Sequence, residues 1–219
     1  MRTALQEELH RLEQIVLAAG AETIDAVEST VGALRKGDHE LAAGVIASGR
    51  RIEALGSEAE RDVAQLLALQ APVASDLRHA LALLYCNLHV QSISDYAVTI
   101  ARLTVAAASV SGAAVPGSRL ARADVAAAVV SQALRALVTR DAADIARVVE
   151  TAAIVDAWAQ ELQRGVVAGT GADGEASVQL AMIGRSFQRI ASHALDIAEQ
   201  AHYLATGEFR DFGAADPPA

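Results

Sequence analysis

The chain has 219 residues, 53% of them hydrophobic but only 3% aromatic, and 50 are alanine. A core of small aliphatic side chains favours closely packed helices over strands. The net charge of −9 has the wrong sign for neutralising nucleic-acid phosphates or an anionic membrane surface. The single cysteine, Cys86, rules out an internal disulfide and a thiolate zinc site, and fits a reducing compartment.

The first predicted helix runs from Thr3 to Lys36, with Leu5, Leu9, Leu12, Val16, Val27, Val31 and Leu34 on one apolar face. Gly37 and Asp38 break it, and Asp38 is the expected N-cap of a second helix reaching Leu69. Pro72 and Ser75 start a third, free of glycine and proline to about Ala108. A helix of ~33 residues is ~50 Å long and needs equally long neighbours. Residues 111–118, with two glycines and Pro116, read as a linker. Three more helices follow, about Arg119 to Thr139, Asp141 to Val167 and Glu175 to Ala205. Residues 209–219 read as a frayed tail. Glu7 and Glu8 argue against an export signal, and no uncharged stretch reaches the ~18 apolar residues of a membrane span. A cytoplasmic protein without membrane insertion is expected.

The halves resemble each other. Residues 33–63 align without a gap on 136–166, an offset of 103, with nine identities, among them Asp38/Asp141, Val45/Val148 and Glu58/Glu161. For the third helices the offset is 97, and Gln91/Gln188, Ile93/Ile190, Ala97/Ala194 and Ile100/Ile197 coincide. The reading is all-α: two three-helix bundles related by an internal repeat, 1–110 and 119–208. Leu83, Cys86, Val90, Ile93, Ala97 and Ile100 form an apolar seam in one, matched by Leu180, Ile183, Phe187, Ile190, Ala194 and Ile197 in the other.

Two residues from a seam position is a rotation of about 200°. Gln91 and Asp95, with Gln188 and Ser192 as counterparts, are therefore expected to face away from the seam, toward solvent or a shallow site. Carboxylates four apart on a helix can share a metal, but these positions are mostly neutral. His193 with Asp196 is the nearest approach to a ligand pair, against a plain reading as a solvated polar face. Cys86 reads as a small core residue, and His79 and His89 as surface or boundary histidines. Gly171 to Gly174 is a turn, too short for a phosphate loop and lacking its lysine. With no nucleophile, base and orienting group in sight, no enzyme activity is expected.

Two passages carry a family resemblance. Gln70-Ala-Pro-Val-Ala-Ser-Asp-Leu-Arg78 resembles the Gln-x-Pro-x-Ala-x-Asp-Leu-Arg signature of the PhoU family of phosphate-signalling regulators. Gln188-Arg-Ile-Ala-Ser-His-Ala-Leu-Asp-Ile-Ala-Glu199, then Tyr203-Leu-Ala-Thr-Gly-Glu208, is similar to that family's Glu-Arg-Ile-Gly-Asp-His-Ala-x-Asn-Ile-Ala-Glu and Tyr-Leu-x-Thr-Gly-Glu. The resemblance implies two three-helix bundles about an approximate twofold. It also implies a cytoplasmic, commonly homodimeric negative regulator that links a phosphate-specific ABC transporter, through its ATPase subunit, to a sensor histidine kinase. Asp76, Arg78 and His193 are the positions it offers for partner contact, Asp76 and Arg78 also reading as helix-start electrostatics. Family members can hold iron or other metal clusters on a repeated Glu-x-x-x-Asp motif. Here those positions are Gln91 and Asp95, then Gln188 and Ser192, with Asp196 in place of the longer signature's Asn. Replacing Glu by Gln keeps a carbonyl but removes the charge that holds a hard cation. No cofactor is therefore expected, beyond weak or residual Fe, Zn, Mn or Mg binding. The rival readings are a metal-binding bundle, for storage or carboxylate-bridged chemistry, and a purely structural helical dimer.

Overall fold

In the computed structural model, which describes residues 2–110, 115, 117–167 and 174–213, all regular structure is helical. The helices are α1 (Arg2–Lys36), α2 (His39–Gln70), α3 (Ala74–Val110), α4 (Asp124–Thr139), α5 (Ala142–Val167) and α6 (Gly174–Thr206). Asp38 caps α2, its carboxylate accepting from the Leu41 amide at 2.9 Å. Asp141 does the same for α5 through the amides of Ala143 and Asp144. None of these helices is long and apolar enough to cross a membrane.

Within each half every helix touches the other two, and the halves meet through α3 on α6 and α1 on α4. Exchanging the halves leaves this pattern of neighbours unchanged, as expected of a duplicated unit. One continuous apolar cluster runs through both halves and holds all twelve seam residues, Cys86 among them. α3 and α6 run antiparallel. Arg78 lies over Tyr203, His89 meets His193, and Tyr96 meets Arg189. The pseudo-twofold therefore passes near Ile93 and Ile190, both fully buried.

Small residues let the long helices approach, and the two halves place them differently. Asn87 on α3 donates its side-chain amide to the Gly56 carbonyl on α2 at 3.0 Å. In the second half the equivalents are Gly184 and Ala159, so the glycine has moved to the other helix. A Cβ on Gly184 would lie 3.0 Å from the Ala159 carbonyl oxygen and 3.1 Å from Leu162 Cβ.

The fourth helix begins later than its periodicity suggests, at Asp124 rather than near Arg119. Residues 117–120 form a 3-10 turn instead, the Leu120 carbonyl accepting from the Ala123 amide at 3.1 Å, and side chains from elsewhere in the chain reach the carbonyls of this turn. Trp158 Nε1 donates to the Arg119 carbonyl at 2.9 Å, and Arg35 to that of Leu120 at 3.0 Å. Arg35 also grips Asp124 with two hydrogen bonds of 2.7 and 2.6 Å. Residues 111–114 and 116 of the predicted linker, and 214–219 of the predicted tail, lie outside the described residues. Of the tail, Phe209 stacks on Tyr203, and the Phe212 amide donates to Glu199 at 2.9 Å.

A polar cluster ties the halves at one end. Glu13 on α1 is 3.7 Å from both His79 on α3 and Arg140, the left-handed C-cap of α4. The nearby His79, with Arg140 adding, holds the Glu13 carboxyl below its ordinary value of 4.5 despite the opposing effect of burial. Its folded pKa is thus lower than its unfolded one. The stability it contributes is present above pH 4.5 and is lost as pH falls through the folded value. The stability difference between wild type and Glu13→Gln, followed by urea unfolding, should therefore be largest near neutrality and shrink below pH 4.5. A difference constant across that range would contradict this.

Candidate functional site

The repeated polar face turns onto the neighbouring helix within each half. Gln91 is half-buried over Gly56, where it fills the space a Cβ would occupy, and donates to Glu60 on α2 at 3.0 Å. Gln188 donates to Asp156 on α5 at 2.6 Å and accepts from Gln163 at 3.2 Å. Ser192 spends its hydroxyl on the Gln188 carbonyl one turn back. Asp95 is exposed, and partial burial together with the nearby Glu53 pushes its carboxyl upward against a weaker pull from Arg102.

These residues do not fit a multinuclear cluster. On the second face Asp156 is the acid, and its partners Gln188 and Gln163 are neutral amides. On the first, none of Glu53, Glu60 and Asp95 joins a converging group of three metal-ligating side chains among the described residues. The one acid left in the motif, Asp95, sits where its charge is disfavoured.

A convergence does occur on the α3–α6 contact, at residues the spacing left apart. His89 Nδ1 lies 3.1 Å from His193 Nδ1 and 3.3 Å from Asp196 Oδ2, and His193 Nδ1 lies 3.2 Å from the same oxygen. His193 also stacks on Tyr96, its own counterpart across the pseudo-twofold, with ring centroids 5.9 Å apart. Burial pushes His89 below the usual histidine range, and His193 repels its charge further, while Asp196 opposes both. The mates of His89 and Asp196 are Ser186 and Thr99. The scaffold is symmetric here and the chemistry is not. Sequence spacing missed His89 because its partners lie 104 and 107 positions away; their places within two turns of the antiparallel crossing at Ile93 and Ile190 are the signal that finds them.

The two signature passages also meet. Arg78 places its guanidinium 5.4 Å from the centre of the Tyr203 ring. Beside them, Gly207 has φ +83 and presents a surface a Cβ could not share with Arg78. On the other side of Arg78 the chain turns through Ala71 and Ala74, both left-handed at φ 43 and 51, around Pro72 and Val73. Asp76 accepts from Gln6 of α1 at 3.0 Å. Both charged residues of the first signature are thus engaged within the fold. Cys86 is fully buried and its thiol is pushed far up by desolvation, so it supplies no thiolate nucleophile.

The PhoU domain family matches the chain at residues 16–104 and 122–201. A phosphate-specific transport system accessory protein PhoU homolog of Zymomonas mobilis is 31% identical over 208 residues, covering 94% of this chain and 88% of its own. A protein of the same description from Caulobacter vibrioides is 30% identical, with 92% and 90% covered. Among solved structures, PhoU from Pseudomonas aeruginosa superposes with a TM-score of 0.86 at 25% identity, over 93% of this chain and 99% of that one. The phosphate transport system regulatory protein PhoU from Streptococcus pneumoniae gives 0.84 at 22% identity, over 94% and 99%, and supports the fold.

Proposed function

The chain belongs to the PhoU family, and from that premise we propose that it is a regulatory, non-enzymatic accessory protein of phosphate transport. In finer terms, it is a cytoplasmic negative regulator of phosphate-starvation signalling. It binds the ATPase subunit of a phosphate-specific ABC transporter and a sensor histidine kinase, and it works as a homodimer. The observation that carries this reading is the junction of Arg78, Tyr203 and Gly207. Two signature passages more than a hundred residues apart face each other there.

Long helices suit such a role, because they present fixed surfaces to more than one partner. On α3, Leu77, Tyr85 and Leu88 recur at turn spacing and are exposed, as is Val73 in the turn before it. Apolar side chains held at the surface of a rigid helix are the usual core of a protein contact.

The test is affinity purification of the full chain from cells grown with plentiful or scarce phosphate. Association with the transporter ATPase or the kinase in plentiful phosphate, weakened by starvation, is expected. Absence of both proteins from the purified material under either condition would contradict the proposal and leave the structural dimer.

A further inference from the structure

We infer that His89, His193 and Asp196 form a binding site for a single divalent ion of the zinc class, clamped between the two repeats. Their donor atoms make a triangle with edges of 3.1, 3.2 and 3.3 Å. Protons alone cannot satisfy all three edges. Each Nδ1 carries at most one hydrogen, which points along one direction in the ring plane. If both nitrogens donate to Asp196, the histidine edge sets two N–H groups against each other. If only one carries a proton, it bridges a single edge, leaving one edge with no hydrogen along it and the other as a contact between the bare nitrogen's lone pair and the Asp196 oxygen. A cation within reach of all three atoms uses every lone pair at once, with both imidazoles neutral and their protons on Nε2.

The dimensions agree with such an ion. Tetrahedral ligands about 2.0–2.1 Å from zinc lie about 3.3–3.4 Å from one another, so closure around the ion requires shifts of only a few tenths of an ångström. Two imidazole nitrogens and one carboxylate oxygen favour zinc or its first-row neighbours over magnesium and calcium, which take oxygen ligands. The side chains of His89, His193 and Asp196 are 22%, 12% and 37% exposed. Solvent therefore reaches the site, and water can supply a fourth ligand. On α6 the two ligands are one turn apart, and the third comes from α3, so the ion would hold the repeats together. Across the pseudo-twofold the corresponding residues are Ser186, Tyr96 and Thr99, a poor ligand set. One ion per chain follows.

The site shares none of Gln91, Asp95, Gln188 and Ser192, and it stands independently of the regulatory reading because binding is read on the purified chain. Chelator-treated full chain is titrated with cobalt(II), whose visible absorption reports a tetrahedral nitrogen and oxygen site, and the cobalt is then displaced by zinc(II). One equivalent is expected. His89→Ala and Asp196→Asn should each weaken binding about 100-fold or more, since even groups that only support a ligand are worth 10–100-fold. Asp95→Asn should leave it unchanged. Far-UV circular dichroism checks the fold, and if His89→Ala is misfolded the nearly isosteric Asp196→Asn decides. Zinc should raise the melting temperature of the wild type and not of Asp196→Asn. The absence of a saturable one-equivalent site, undiminished affinity in Asp196→Asn, or loss of binding in Asp95→Asn would overturn the inference.

Discussion

Phe187→Ala is expected to lower the unfolding free energy by about 3–5 kcal/mol. Phe187 is fully buried, and its ring packs against Trp158 with centroids 5.1 Å apart and planes tilted by 53°. The tilted ring contact adds aromatic attraction to the loss of buried area. Their counterparts in the first repeat are Val90 and Leu55. A chain with only seven aromatic residues has thus put two in one contact of its second bundle. Truncation would open a cavity that alanine-rich neighbours cannot fill by turning their side chains. Phe187→Leu should cost no more than about 1.5 kcal/mol, because most of the volume is kept. Urea unfolding followed by circular dichroism measures both, and a loss below about 1 kcal/mol for the alanine variant would show that the contact is not packed as described.

The second large effect is expected at Asp144, 5% exposed at the start of α5. Its carboxylate accepts from the Thr139 hydroxyl at 2.7 Å and from Arg135 Nε at 3.3 Å, and it also pairs with Arg147. These bonds join the end of α4 to the beginning of α5 across a turn whose Arg140 is left-handed at φ 54. Asp144→Ala should cost about 2–3 kcal/mol, within the range of hydrogen bonds to a charged group. The larger penalty of stranding a buried partner charge does not arise. The arginine side chains are 68% and 51% exposed and return to water when the carboxylate is gone. Asp144→Asn should cost about half as much, because its carbonyl can still accept from Thr139. A change below about 0.5 kcal/mol on replacement by alanine would mean that the turn is held by something else.

The helices were legible because their signals are local. Gly37 and Asp38, then Pro72, mark ends that the folded chain respects to within a residue or two. The start of α4 was not legible, since the turn before it meets Trp158 and Arg35, which lie far from it in sequence and reach the carbonyls of Arg119 and Leu120. The seam was read from its spacing, and its residues are buried. The orientation of Gln91 and Gln188 was only half legible, because α3 and α6 are each packed on more than one side. A rotation of 200° from the seam leads there onto α2 or α5 as well as toward water. The histidine pair was invisible for a related reason. No spacing within one helix can show what an antiparallel helix brings to it, and the offset of 97 becomes informative only once the crossing at Ile93 and Ile190 is known.

Two kinds of metal chemistry fall on different parts of the fold. The acidic motif has lost charge at three of four positions, and the folded chain engages the replacing groups with Glu60, Asp156, Gln163 and the Gln188 carbonyl. Those side chains are committed within each repeat. His89, His193 and Asp196 lie instead between the repeats, where a bound ion would oppose their separation without any need for the acidic faces.

The central claim is that this chain restrains the response to phosphate starvation. The most direct measurement is a starvation-responsive reporter in a strain from which the coding sequence has been deleted, grown with plentiful phosphate. The account predicts that the reporter is derepressed and that the wild-type chain restores repression. Arg78→Ala, which removes one side of the junction with Tyr203, should restore it poorly. A reporter that stays fully repressed in the deletion strain would contradict the account.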